Sequence, residues 1–259
     1  MLNLFKKNYL NLIYIFFLGA ISSYSLPPYN YFIINFITFS LFFIFLFNKK
    51  KKTITNKNFF KYGWYFGFGY FLFSLYWISI SLTFDQSFKF LIPVTIILLP
   101  AFLGIFYGII TYLSSIFFSK NVVSSFFIYS ILFSLIEFIR GSILTGFPWN
   151  LIAFSFSESI YFIQILSIIG TYSFNLICIS LFTVPAVFIL RKSAKEIIVS
   201  LFFILISVAF LIFGYIKIDN FNSLESVKNS FIIKAISPNI SLDRFYSKQD
   251  ELKIINELI

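Results

Sequence analysis

The sequence of 259 residues contains no histidine and a single cysteine, Cys178. Histidine is the commonest general base and the commonest metal ligand, so its absence disfavours histidine-dependent catalysis and histidine-ligated metals in this stretch. One cysteine cannot form an internal disulfide bond. Any catalysis must therefore use carboxylates, lysine, hydroxyls or a thiol, or take place outside this stretch, and no cofactor or metal is expected.

Charged residues are also scarce, at 12% of the sequence, whereas 59% is hydrophobic and the mean hydropathy is +0.91. A soluble domain of this length could not bury so much apolar surface. Apolar runs of about 20 residues recur, the length that a helix needs to cross about 30 Å of hydrocarbon. The 41 phenylalanines are interpreted as lipid-facing residues without a ligand role.

The hydrophobic pattern predicts about seven transmembrane helices and therefore an all-α polytopic membrane bundle. The first run could be misread as a signal peptide, but no small-residue cleavage site follows it, so a retained helix is predicted. The predicted spans are Tyr9–Ser25, Tyr31–Phe47, Phe59–Phe84, Phe90–Phe118, Val122–Ile139, Ile160–Leu190 and Ile197–Ile216.

Basic residues are concentrated in alternate loops. With the N-terminus in the cytoplasm, the cytoplasmic segments up to Lys195 hold twelve Lys and Arg, and the opposite short loops hold two, Lys89 and Arg140. This asymmetry predicts a cytoplasmic N-terminus and an outer C-terminal segment after about Lys217. Because the positive charge marks topology, the net charge of +10 does not predict nucleic-acid binding.

The last forty residues differ in composition from the spans, so the sequence divides into a membrane domain, 1–218, and a C-terminal segment, 219–259. Asp219 to Asn229 is polar and loop-like, Ser230 to Ile236 has the pattern of a buried strand, and Ser247 opens a helix. One strand and one helix cannot bury a core. The segment is therefore predicted to be the truncated start of an α/β domain.

Glu137 and Arg140 lie three residues apart near the outer end of the fifth span, so they share a helix face. A charge at membrane depth costs at least about 2.5 kcal/mol on insertion scales unless it is paired or near the interface. They could form a structural ion pair or the polar floor of an outer-face site. Trp149, after Gly146, Phe147 and Pro148, could be an interfacial anchor or part of that site.

Other features are predicted to serve packing. Gly63, Gly67 and Gly69, and Gly104 with Gly108, have the spacing that lets helices approach closely. Cys178 has lipid-like neighbours and is predicted to be a core residue, since a reactive thiol needs a polar, accessible setting. The amides of Gln164 and Asn175 are predicted to hydrogen-bond between helices.

The string Glu137–Trp149 resembles the apolipoprotein N-acyltransferase family, in which a Glu-Phe-x-Arg-Gly segment followed by Thr-Gly-Phe-Pro-Trp is characteristic. Further pieces agree in the same order along essentially the whole chain. They are Leu26–Tyr29, Gly63–Gly69 with Tyr76–Ile80, Gly170–Asn175 and Pro238–Ile240, the last of which is similar to the opening strand of the family's nitrilase-like domain.

The resemblance implies the last step of bacterial lipoprotein maturation in the inner membrane, with the C-terminal segment in the periplasm. The family moves a fatty acyl chain from a phospholipid, through a cysteine thioester, to the amino group of a diacylglyceryl apolipoprotein. Its Glu–Lys–Cys catalytic set is expected beyond Ile259, so none of it carries over. The 259-residue chain is accordingly expected to be an inactive fragment.

The resemblance also implies substrate-binding residues: Glu137, Arg140, Gly146, Phe147, Pro148, Trp149 and Phe245. The family usually has a Lys-Trp pair where Arg244 and Phe245 stand, which leaves Phe245 an apolar face without an indole N–H. Two other interpretations stay open on the residues alone. A multi-span transporter would predict internal repeats and polar mid-membrane residues, which are not evident. A non-catalytic membrane scaffold is the other.

Overall fold

The computed structural model describes residues 2–51, 55–143, 146 and 148–224, with side chains from Tyr9 onward. Within these residues the chain forms eight α-helices, four short 3-10 segments and no strand. The helices are α1 Leu2–Ser22, α2 Ile33–Lys50, α3 Asn56–Leu75, α4 Ile92–Phe117, α5 Val122–Ser142, α6 Ile160–Ile163, α7 Leu166–Ile189 and α8 Ala194–Asn222. The 3-10 segments are Ser23–Ser25, Tyr76–Thr83, Gln86–Leu91 and Ile152–Phe156.

Six helical segments of the described chain are long and apolar enough to cross a membrane, which confirms six of the seven predicted spans. They are Ile33–Lys50, Asn56–Thr83, Gln86–Phe117, Val122–Ser142, Leu166–Ile189 and Ala194–Asn222. The remaining predicted span, Tyr9–Ser25, is a shorter apolar helical stretch. The chain is therefore a multi-pass membrane protein. The predicted strand and helix after 229 lie outside the described residues.

The sixth predicted span, Ile160–Leu190, is confirmed over Leu166–Ile189, but it is not one continuous helix. It is divided into α6 and α7, and α7 is itself kinked at Gly170, whose φ is 74° and ψ is 168°. Glycine adopts positive φ without the clash that a Cβ would cause, so the helix changes direction there. The apolar run from Ile160 to Leu190 is continuous in sequence, and the hydrophobic pattern does not indicate a change of helix direction.

The third predicted span, Phe59–Phe84, is confirmed by the segment Asn56–Thr83, which changes after Leu75 from α-helix to the 3-10 segment Tyr76–Thr83. At the other end of the chain, α8 continues to Asn222, so Asp219–Asn222 is helix and not loop. No glycine or proline stands between Lys217 and Asn222 to end the helix. Polar residues are tolerated in the last turn of α8, beyond its apolar part.

Helix α3 is the centre of the first half of the bundle and packs closely against α4 and α1. A Cβ on Gly63 would lie 2.1 Å from the carbonyl oxygen of Tyr107 in α4, and one on Gly69 would lie 2.3 Å from the Phe16 oxygen in α1. These distances are below van der Waals contact, so only glycine permits the two approaches. The packing role predicted for these glycines is confirmed.

The interpretation of phenylalanine as mainly lipid-facing was wrong for a substantial part of the set. Phe42 and Phe66 are fully buried and stack with ring centroids 4.2 Å apart. Phe39 and Phe133 are also fully buried, and their rings lie 5.4 Å apart. Aromatic pairs of this kind add to the dispersion contacts that hold helices together in lipid.

Cys178 is buried as predicted.

Candidate functional site

A cavity lies at the end of the bundle where α3 and α5 finish. It has a volume of about 450 Å³ and opens to the surface. Its lining is mostly apolar with a few polar groups, the composition typical of small-molecule and lipid sites. The lining residues are Leu26, Pro27, Ser74, Trp77, Pro148, Trp149, Asn150, Phe154 and Ser157.

Two indole rings stand side by side at this cavity. Trp77 and Trp149 stack with ring centroids 5.3 Å apart and planes 11° from parallel. Both remain partly exposed, at 43% and 48%. Each Trp therefore offers an apolar face to a ligand while one side of its ring packs against the other Trp ring. Amphipathic rings of this kind favour a membrane interface.

The turn that carries Trp149 is held by groups from α3 and α5. Arg140 Nη1 donates to the Trp149 carbonyl oxygen at 3.0 Å, and the Tyr70 hydroxyl donates to the Asn150 carbonyl oxygen at 3.0 Å. Asn150 has a positive φ of 57°, and its Nδ2 donates to the Ser74 backbone carbonyl oxygen at 3.3 Å. Asparagine is among the few residues that adopt this geometry readily, so the position of the turn is well specified.

Beneath the turn lies a buried polar network centred on Glu137, which is fully buried, as is Arg140 at 1% exposure. Tyr107 donates to Glu137 Oε1 at 2.8 Å and Asn175 Nδ2 donates to Oε2 at 2.5 Å. Arg140 Nη2 lies 3.6 Å from Oε1. The carboxylate thus connects α4, α5 and α7, and Asn175 Oδ1 in turn accepts the Ala153 N–H at 2.8 Å.

Two glycines of the sequence motif fit the turn against the helices. A Cβ on Gly141 would lie 2.0 Å from the Tyr172 hydroxyl oxygen and 3.5 Å from the Pro148 Cα. Gly146 has a φ of 79°, and its N–H donates to the Ile143 oxygen at 2.9 Å. The Gly146 position therefore favours glycine because of its conformation, whereas a side chain at Gly141 would require the Tyr172 side chain to move.

The opposite wall of the cavity is tied to the bundle by a second polar cluster. Asn35 Nδ2 donates to Ser25 Oγ at 2.8 Å and to Ser155 Oγ at 2.9 Å, while its Oδ1 accepts from Ser22 at 2.6 Å. Through Asn35 of α2, these bonds connect the 3-10 segment Ser23–Ser25, which precedes Leu26, with the 3-10 segment that contains Phe154.

The predicted site residues within the described part of the chain fall into three groups. Pro148 and Trp149 line the cavity, whereas Glu137 and Arg140 lie behind it and Gly146 lies within its turn. Phe147 and Phe245 lie outside the described residues. The expected interhelical bond of Asn175 is confirmed.

The interhelical role predicted for Gln164 was wrong. Its Nε2 donates to the Ile160 oxygen of its own helical segment at 3.1 Å. Gln164 follows α6 by one residue, which puts the Ile160 carbonyl within reach of its side chain. A backbone acceptor one helical turn away satisfies the amide locally, so it needs no partner on another helix.

Sequence reasoning missed Ser74, Asn150 and Phe154 as lining residues and did not identify Trp77 as the partner of Trp149. Trp77 carries a detectable signal, since it lies in the Tyr76–Ile80 piece of the family resemblance. The described part of the chain holds no cluster of three potential metal ligands, and its cysteine is buried in α7.

Comparison with known proteins points to one family. Residues 18–184 match the family model described as Apolipoprotein N-acyltransferase N-terminal domain. The apolipoprotein N-acyltransferase of Rhizobium etli (strain CIAT 652) is 33% identical over 184 residues, which are 68% of this chain and 34% of that protein. The protein of the same name from Rickettsia prowazekii (strain Madrid E) is 35% identical over 182 residues, 70% of this chain and 36% of that protein.

A longer match extends along nearly all of the chain. The apolipoprotein N-acyltransferase of Brucella melitensis biotype 1 is 25% identical over 250 residues, which are 94% of this chain and 46% of that protein. The chain thus spans between a third and a half of the length of these curated relatives.

Proposed function

The chain belongs to the apolipoprotein N-acyltransferase family, and from that premise we propose that its helices form the lipid-holding membrane part of such an enzyme. The reaction would move a fatty acyl chain from a phospholipid to the N-terminal diacylglyceryl-cysteine of an apolipoprotein, through a thioester on the enzyme. Family membership favours this function over a transporter or a non-catalytic scaffold.

The observation that carries the proposal is the cavity with the Trp77 and Trp149 pair at one end of the bundle. Its apolar lining suits an acyl chain, and its few polar groups suit the ester region of a lipid. Pro148, Trp149 and Phe154 are the proposed contacts to lipid. Phe147 and Phe245 remain proposed contacts on the strength of the family resemblance alone.

We propose that Glu137 and Arg140 act on substrate only through the Trp149 turn. Both side chains are buried, and the Arg140 guanidinium donates to the backbone of that turn. A buried ion pair contributes little net stability, but it can specify one geometry. Gly146 would serve the same turn by supplying its positive φ.

The covalent chemistry is proposed to lie outside the described residues. The cysteine of the described chain is fully buried, whereas a thioester needs an accessible thiolate. We therefore expect the 259-residue polypeptide alone to show no acyl transfer. The proposed location is the bacterial inner membrane, with the N-terminus cytoplasmic and the segment 219–259 periplasmic, where a nitrilase-like domain would begin.

The proposal is tested in a full-length gene that contains this sequence, expressed in cells depleted of their own N-acyltransferase. Trp149→Ala should reduce N-acylation of a reporter lipoprotein, measured by mass spectrometry of its N-terminal peptide. Phe88→Ala is the matched control, because Phe88 is exposed to the same extent, 48%, and does not line the cavity. Equal N-acylation in the two variants at equal protein levels would contradict the proposed role.

A further inference from the structure

A second groove lies between the start of α3 and the end of α4. It has a volume of about 460 Å³ and is lined by Lys57, Phe60, Lys61, Ile109 and Tyr112. Since an α-helix rises 1.5 Å per residue, Lys57 lies about 25 Å along α3 from the level of the first cavity. The groove is therefore a separate site at the opposite end of the bundle.

The floor of this groove is rigid because the two helices are in direct contact beneath it. A Cβ on Gly108 would lie 2.7 Å from Cε2 of the Phe60 ring, so the ring rests on the glycine. The Thr111 hydroxyl donates to the Phe59 carbonyl oxygen at 2.6 Å and connects α4 to α3. The groove is thus preformed, and a ligand would not have to separate the helices to enter.

The charge around the groove is positive, and no ion pair with another described residue compensates it. Lys57 and Lys61 are four residues apart, share one helix face and are both exposed. In the part of the chain that the structure describes, neither forms an ion pair, and the first turn of α3 contains no acidic residue. Lysines near a helix N-terminus add to the positive end of its dipole, so an anion placed there would stabilise the structure.

We propose that this groove binds an anionic phospholipid of the surrounding membrane. The lipid phosphate would lie between Lys57 and Lys61, and an acyl chain would lie along Phe60 and Ile109. The two halves of the site correspond to the two halves of such a lipid, since the lysines complement the head group and the apolar floor complements the chain. A soluble phosphate would use the lysines and leave the apolar part of the groove without a partner.

The test uses the purified chain in a mild detergent and native mass spectrometry. The probes are phosphatidylglycerol and phosphatidylcholine with identical acyl chains, added at equal concentration. Phosphatidylglycerol should be retained preferentially. The double change Lys57→Gln and Lys61→Gln should lower that preference by roughly fivefold for each lysine, the effect of one basic residue at an anionic surface. The control is Lys120→Gln with Lys195→Gln, two exposed lysines that do not line the groove.

A second variant keeps the charge and fills the groove. Ile109→Trp should reduce retention of phosphatidylglycerol although both lysines remain, and glycerol 3-phosphate should not compete with the lipid for the original chain. Equal retention of the two lipids would overturn the proposal. It would also fail if the control pair lost the preference as strongly as the groove pair, or if Ile109→Trp retained the lipid fully. None of these outcomes depends on acyl transfer, so this site and the proposed function fail separately.

Discussion

The Glu137 network gives the sharpest prediction about what holds the Trp149 turn in place. Glu137→Gln conserves the size of the side chain but removes the charge that faces Arg140 Nη2 at 3.6 Å. The new amide also brings an NH2 group to face either Tyr107 or Asn175, both of which donate to the carboxylate. The substitution therefore loses the ion pair and places two donors against each other.

The magnitude follows from these contacts. Removing one partner of a buried ion pair costs about 3–5 kcal/mol, because the other charge stays buried. Hydrogen bonds between membrane helices are worth only about 0.6 kcal/mol on average, so the mismatched donor adds little. We expect the free energy of unfolding to fall by about 3 kcal/mol, the lower end of the range for a broken buried pair.

The measurement is a reversible titration with sodium dodecyl sulfate in mixed micelles, followed by circular dichroism. The matched control is Asp219→Asn, the same acid-to-amide change on an exposed residue of α8. Adding Arg140→Met to Glu137→Gln should recover part of the loss, because the buried guanidinium that faced the carboxylate is then removed. The reasoning is refuted if Glu137→Gln and Asp219→Asn agree within about 0.5 kcal/mol, the range of ordinary surface substitutions.

Two other features give predictions that use simpler variants. Gly63→Ala places a Cβ 2.1 Å from the Tyr107 carbonyl oxygen. The free energy of unfolding in the same titration should therefore fall by about 1–3 kcal/mol as α3 and α4 separate. No change would mean that the two helices do not meet there. A topology reporter fused after Lys228 should be active only outside the cytoplasm, and cytoplasmic activity would contradict the proposed orientation.

Element identity could be predicted from the sequence because lipid leaves few alternatives. Apolar runs of sufficient length must be helices in a bilayer, and six of the predicted spans are such helices. The interruption at Gly170 could not be predicted, because a glycine in an apolar run is compatible with both a straight and a kinked helix.

The candidate site was only partly predictable for a similar reason. Glu137, Arg140 and Trp149 stand close together in one motif, so local sequence was enough to select them. The partners Tyr107 and Asn175 lie 30 and 38 residues from Glu137, and Trp77 meets Trp149 only after the helices pack. Periodicity gives the face on which a side chain lies, but it does not give the residue that it meets on another helix.

The most direct test of the central claim is to ask which lipid occupies the cavity. A photo-crosslinking amino acid at position 154, whose native Phe154 lines the cavity, would be compared with one at position 88 in the full-length membrane protein. Captured molecules would be identified by mass spectrometry, with and without an added diacylglyceryl-cysteine peptide. We predict that position 154 captures phospholipid and that the peptide displaces it there but not at position 88. Equal capture at both positions, unaffected by the peptide, would contradict the account.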